Sequence, residues 1–287
     1  MSKASLKGLA NSRARIALID ADSILYAAAL GAEMKAAAAG PEGEDLWFPI
    51  KDVSECYREV VDRLDELVGE VKAEDAIVAL TVYKCFRYAI LPTYKANRTG
   101  MRRPSILPEL QAAVLEKRPF GVVQVRGLEA DDVCGVSSGH LQEAGLREPV
   151  IVSIDKDLRS VPGLVYSPRR HEVGIEEISS AAADRAFFYQ TLVGDPVDGY
   201  TGCPGIGPKK AEKILDQCEG ASEGVQWGWV EGAFMKRGYT PTYALTQARV
   251  ARILRGPDWD ASTRDITLWS PEGQPPEIVP LDSLSVN

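Results

Sequence analysis

Along residues 15–167, short apolar runs alternate with stretches of helical spacing, and two of the runs end on aspartate. RIALID (15–20), AIVALTV (76–82), VVQV (122–125), PVIVSID (149–155) and LVYS (164–167) have the length and β-branched content of buried strands. A helix is expected from about Ser23. Residues 52–72 place Val53, Tyr57, Val60, Val61, Leu64, Leu67, Val68 and Val71 at helical spacing. Residues 108–117 also read as a helix, and EADDVCGVSSGHLQEAG reads as one that stops near Gly145. Residues 31–49, rich in Ala with Gly and Pro, read as a loop or a frayed helix end. The alternation predicts an α/β fold with a mostly parallel central sheet flanked by helices. From about residue 186 the pattern turns helical with Gly/Pro turns, which divides the chain into a core over 1–185 and a smaller helical region over 186–287.

Sites in such sheets form at the carboxyl ends of the strands, where Asp20 and Asp155 both fall. They belong to four acidic blocks: Asp20 and Asp22; Glu129, Asp131 and Asp132; Asp155 and Asp157; Asp195 and Asp198. Each block also has an ordinary reading. Asp20 suits a strand-end cap, Asp22 a helix cap, the 129–132 acids a solvated first helical turn, and Asp155 and Asp157 an Asp-containing turn. On a helix Glu129 and Asp132 share a face; in extended backbone Asp155 and Asp157 do. Carboxylates packed together repel, and oxygen-only ligands favour hard divalent ions such as Mg²⁺ or Mn²⁺. If the blocks converge, they make a metal site for phosphodiester chemistry.

Other classes are disfavoured. Five scattered cysteines without a Cys-x-x-Cys argue for reduced thiols in a cytosol, and two distant histidines argue against a His-based zinc site. No apolar stretch is long enough to span a membrane, and MSKASLKGLANSRAR lacks a signal-peptide core and reads as a mobile tail. The net charge of −8 hides one basic window: Lys84 to Arg118 holds eight basic and two acidic residues, a local +6. Within it, Arg87, Lys95, Arg98, Arg102 and Arg103 interleave with Phe86, Tyr88 and Tyr94, a pattern suited to phosphates and unpaired bases. GCPGIGPKKAEKIL (202–215) adds a glycine turn before a helix start, where free amides and Lys209, Lys210 and Lys213 suit a phosphate. Trp227, Trp229 and Trp259 read as core anchors.

The ordered set IDAD, FRYAILPTYKANR, GLEADDVCG, SIDKDL and GDPVDGYTGCPGIGPKKA resembles the 5′-nuclease family, which includes phage 5′→3′ exonucleases, flap endonucleases and the 5′-nuclease domain of DNA polymerase I. YALTQARVARILR (243–255) looks most like the phage exonuclease branch. The resemblance implies a PIN-like nuclease core, a helical arch or clamp near 84–107, and a helix–three-turn–helix element. It also implies that Asp20, Glu129, Asp131, Asp132, Asp155, Asp157 and Asp198 are metal-site acids, with Asp195 in the same motif and Asp22 as a further candidate. Lys95, Arg98 and Arg87 match phosphate-contacting positions. Tyr94, Arg102 and Arg103 fall in the DNA-facing segment, and Gly205, Gly207, Lys209 and Lys210 in a duplex-binding loop that often holds K⁺. Val82 stands where the family usually carries an aspartate, so one carboxylate is missing there or Asp22 compensates for it.

The expected activity is 5′→3′ exonucleolytic hydrolysis of DNA with two Mg²⁺ (or Mn²⁺) ions and flap cleavage alongside. The expected partners are a DNA 5′ end or flap and replication proteins, in the cytoplasm (the host's, if phage-encoded). The residues leave open a flap endonuclease, a nuclease removing RNA from RNA–DNA hybrids, and a DNA-binding module with impaired catalysis.

Overall fold

A computed structural model describes residues 14–36, 45–82 and 84–281; of the N-terminal tail expected over 1–15, residues 1–13 lie outside these, and Arg15 already begins a strand. In chain order the elements are β1 (Arg15–Asp20), α1 (Asp22–Gly31), β2 (Glu33–Lys35), β3 (Trp47–Pro49), α2 (Val53–Glu70), β4 (Asp75–Leu80), α3 (Arg87–Ile90), α4 (Leu107–Lys117), β5 (Gly121–Gln124) and α5 (Ala130–Ala144). They continue with β6 (Glu148–Val152), β7 (Gly163–Tyr166), β8 (Ile175–Ile178), α6 (Ser180–Val193), α7 (Pro208–Asp216), α8 (Glu223–Met235), α9 (Pro241–Ala251), β9 (Trp259–Asp260), β10 (Asp265–Leu268) and β11 (Glu277–Pro280).

The main sheet has the order β5-β4-β1-β6-β7-β8, parallel except for β8, which runs antiparallel to β7. Ala17, Leu18 and Ile19 of β1 are fully buried, as a strand covered on both faces requires. On one face α1, α2 and α4 pack around Leu25, Leu64 and Leu110. The connections from β1 lead first to β4 and β5 on one side and then across to β6 on the other. The switch point lies between β1 and β6, whose carboxyl ends are where sheets of this kind form their ligand crevice.

Sequence periodicity misplaced several elements. Within 31–49 a hairpin of β2 and β3 forms, with Met34 opposite Phe48. Helix α6 starts at Ser180, where Ser179 caps the amide of Ala182, rather than near 186. Beyond α9 the described residues are not α-helical: β9, β10 and β11 form a small antiparallel sheet. It belongs to the α/β core, because Ile253, Leu254, Ile266, Leu268 and Leu281 pack with α5 on the second face of the main sheet. Two glycines of α5 allow that return. A Cβ on Gly135 would sit 2.2 Å from the carbonyl oxygen of Leu254, and one on Gly139 2.6 Å from the amide nitrogen of Gly256. The helical unit is therefore an excursion over α6–α9 with its own core around Phe187, Phe188, Trp227 and Phe234.

Residues 84–107, expected as a helical arch, hold one short helix, α3, and a single 3₁₀ turn at Ala96–Arg98. Pro92 and Pro104 interrupt longer helix formation.

Candidate active site

Asp20 ends β1, and its carboxylate accepts from Ser153 Oγ (2.9 Å), whose oxygen in turn accepts from the Asp155 amide (3.0 Å). Beyond β6 Asp155 keeps extended backbone, but a 3₁₀ helix starts at Lys156 and takes in Asp157, so the pair forms the Asp-containing turn rather than sharing an extended segment. Asp155 caps this turn by accepting from the Asp157 amide (2.8 Å), and Asp157 is held by Gln190 of α6 (3.0 Å). Asp22 is not a helix cap: its Oδ1 accepts from the amide of Thr81, just beyond β4 (3.1 Å). Thr81 Oγ1 accepts from the amide of Ala130 (2.9 Å), which ties the start of α5 to the same strand end.

Helix α5 delivers Glu129, Asp131 and Asp132, which bring one oxygen each within 4.8 Å of one another. The three have different duties. Asp132 is fully buried and saturated, accepting from both terminal nitrogens of Arg87 (2.6 and 2.7 Å) and from the amides of Glu129 and Leu254. Arg87 is 2% exposed, and its remaining donors go to Glu129 Oε2 (3.0 Å) and to the carbonyls of Val250 and Arg252. All five guanidinium donors are thereby engaged. Arg87 cannot reach a phosphate and Asp132 has no free lone pair aimed at an ion. Together they clamp α3, α5 and the end of α9.

Lys95, in left-handed backbone, ion-pairs with Glu129 and lies 3.7 Å from Asp198. Its amide donates to the Asp198 carbonyl (2.7 Å). Arg98 ion-pairs with Asp198, and Asn97 donates to the carbonyl of Pro196 (2.7 Å), so the 94–98 segment is docked on the turn carrying Asp195 and Asp198. Tyr94 is buried, its hydroxyl donating to Glu129 (2.8 Å) and Asp198 (3.1 Å). Tyr94 and Phe86 are thus core residues rather than base-stacking platforms. Arg102 stacks on Trp47 (3.9 Å from guanidinium carbon to ring centre) and ion-pairs with the buried Glu33. It serves as a latch to the hairpin rather than a free DNA contact, while Arg103 remains exposed. Gly205, Gly207, Lys209 and Lys210 lie exposed together around the N-terminus of α7; Lys210 donates to the carbonyl of Gly205 (2.8 Å).

The electrostatics are those of a cluster short of positive charge. Burial, then Asp22 and Asp155, push Asp20 up to about 7. Burial, then Asp155, Asp195 and Asp198, push Asp157 up to about 7. Burial also opposes ionisation of Glu129, but Lys95 and Arg87 outweigh it and hold that carboxyl down at about 2. Among the described residues, Asp20, Asp22, Asp131, Asp155, Asp157 and Asp195 form no ion pair. Hard oxygen donors, mutually repelling and without a counter-charge, fit divalent cations. Thr81, Ser153 and Gln190, which orient these acids, escaped the sequence reading, although Thr81 and Ser153 lie inside ALTVYK and VSIDKD.

The parallel sheet, the crevice at its switch point and the carboxylate cluster define a divalent-metal nuclease. Residues 15–167 match the family described as 5′-3′ exonuclease, N-terminal resolvase-like domain, and the chain belongs to that family. It is similar to the exodeoxyribonuclease of Enterobacteria phage T3 (26% identical over 285 residues, 89% of this chain and 93% of that protein). It is equally similar to the exonuclease of Escherichia phage T7 (26% over 286 residues, again 89% and 93%). Among solved structures it shares its fold with T5 5′-exonuclease bound to zinc (TM-score 0.58, 16% identity, 83% of this chain and 89% of that one). No helix among the described residues is long and apolar enough to cross a membrane.

Proposed function

We propose that this nuclease hydrolyses DNA from a 5′ end, releasing short products 5′→3′, and cuts flaps at the same site. The carrying observation is the cluster of uncompensated acids at the β1/β6 crevice, facing Lys95 and Arg98 of the basic segment. Asp20, Asp22, Asp131, Asp155 and Asp157 would hold the divalent ions, with Glu129, Asp195 and Asp198 beside them. Mg²⁺ or Mn²⁺ suits this all-oxygen donor set. When bound, such ions lower the pKa of water and stabilise charge on the phosphate and leaving oxygen.

The chain's own residues do the remaining work. Ser153, Thr81 and Gln190 fix the carboxylate rotamers. Partial burial opposes the charge on Lys95, but Glu129 and Asp198 beside it outweigh this and keep it protonated, so it presents a permanent positive charge. A scissile phosphate entering the crevice offers Lys95 and Arg98 an anion to neutralise, and this electrostatic stabilisation is their proposed role. The turn of Gly205 and Gly207, with Lys209 and Lys210, is proposed to hold duplex backbone without reading bases. K⁺ is proposed at that turn, on the family resemblance.

A panel of 5′-labelled blunt, nicked, flapped and RNA–DNA hybrid duplexes with Mg²⁺ tests the reading. Short 5′ products or flap excision, lost in Asp155→Ala, are expected. Retained DNA binding without any cleavage by the unaltered protein would overturn it in favour of a binding module.

A further inference from the structure

The geometry points to a second DNA contact, a single-strand site in the groove between α7 and α8. The groove encloses about 350 Å³ and is lined by Lys210, Lys213, Lys236 and Arg237 over a floor that includes Ile214 and Trp229, with no acidic residue in the lining. Lys210, Lys213 and Ile214 fall at i, i+3 and i+4 on α7; Trp229, Lys236 and Arg237 fall at i, i+7 and i+8 from α8 into its C-terminal turn, so each helix turns one face inward.

Three observations select the occupant. First, none of these four cations forms an ion pair among the described residues, although the protein carries a net charge of −8. The acids of α7 are segregated to the opposite face, where Glu212 and Asp216 pair with Arg185 of α6. Second, Trp229 is 42% exposed, whereas its neighbour Trp227 is 5% exposed in the core. Trp229 is therefore not the core anchor expected from sequence. Third, the groove is continuous with the glycine turn: a Cβ on Gly205 would lie 3.9 Å from Nε of Arg237.

Cations beside an exposed indole suit a strand whose bases are unpaired. Phosphates meet the ammonium and guanidinium groups, and a base stacks on the ring, which a base-paired duplex does not offer. The groove thus continues the backbone track from the glycine turn to an unpaired segment of the DNA. DNA as ligand follows from the function proposed above, but the site is separate from the carboxylates and is testable without cleavage.

The experiment is titration of the full chain with oligo(dT) and with a blunt duplex in EDTA, following tryptophan fluorescence and anisotropy of labelled DNA. Quenching by oligo(dT) that disappears in Trp229→Phe identifies the reporting ring. Trp229→Ala is expected to weaken oligo(dT) binding about 5- to 150-fold, the range for loss of one stacked base. Lys213→Ala with Lys236→Ala is expected to lower the salt slope of that binding by about 1.4, two phosphate contacts at ~0.7 each. Duplex affinity changes far less in Trp229→Ala. Unchanged melting temperatures show that the variants fold.

Oligo(dT) affinity unaffected by either variant overturns the proposal, as does an equal loss for duplex and single strand in Trp229→Ala. A catalytically inactive protein that still shows the Trp229-dependent binding would overturn the proposed activity and leave this site standing.

Discussion

Replacing Arg87 separates structural from catalytic cations in the basic segment. Its guanidinium is 2% exposed and places five donors on Asp132, Glu129 and the carbonyls of Val250 and Arg252. In Arg87→Ala the fully buried Asp132 carboxylate keeps the amides of Glu129 and Leu254 but loses its counter-charge. Breaking a buried pair from one side costs about 3–5 kcal/mol. Against a total stability of about 5–15 kcal/mol that is a large fraction, and at ~2–4 °C per kcal/mol the melting temperature should fall by roughly 6–20 °C. Lys cannot supply the planar five-donor fork, so Arg87→Lys is expected to recover only part of the loss. Arg98 is the control. Its side chain is 40% exposed on Asp198, so Arg98→Ala should cost at most about 1 kcal/mol while lowering cleavage about 10²–10³-fold. Urea unfolding followed by circular dichroism, beside initial cleavage rates, reads both quantities. An Arg87→Ala protein within about 1 kcal/mol of the parent yet unable to cleave would refute the structural role and return Arg87 to the phosphate.

Three further outcomes follow from the site. Asp20 and Asp157 are raised to about 7 without metal, so their protonated forms favour the folded state below about pH 4 and that contribution is lost as pH rises through about 7; Mg²⁺ should therefore raise the melting temperature more at pH 8 than at pH 6, and equal shifts would contradict the repulsion argument. Asp22 bonds the Thr81 amide instead of capping α1, so Asp22→Asn should lower cleavage at limiting Mg²⁺ by about 10²-fold or more, and Val82→Asp should reduce the Mg²⁺ requirement; near-normal cleavage by Asp22→Asn would show that Asp22 does not fill the gap at Val82. Gly139→Ala places a Cβ 2.6 Å from the backbone of Gly256 and should destabilise by about 1–3 kcal/mol, with faster proteolysis of the β9–β11 tail; an unchanged unfolding midpoint would mean that the close packing there is not needed.

The chain's local patterns determined much of this protein. Hydrophobic periodicity specified the parallel strands, because a strand buried on both faces must read as a continuous apolar run, as Ala17–Ile19 do. The acids after β1 and β6 announced a site because parallel topology brings those ends together. Periodicity was silent where elements are short or are held by distant partners. The β2–β3 hairpin is three residues per strand, and the antiparallel tail owes its place to the glycine face of α5. Only the tertiary structure decided which charges are free. Arg87 and Arg98, one α-helical turn and a short loop apart in sequence, differ because one is enclosed by α5 and α9 and the other lies on an exposed turn. Asp132 and Asp131 are adjacent, yet the first faces Arg87 and the second has no cation of its own. A residue's type states what chemistry it can do; burial and the partners contributed by remote segments decide whether that chemistry is left available.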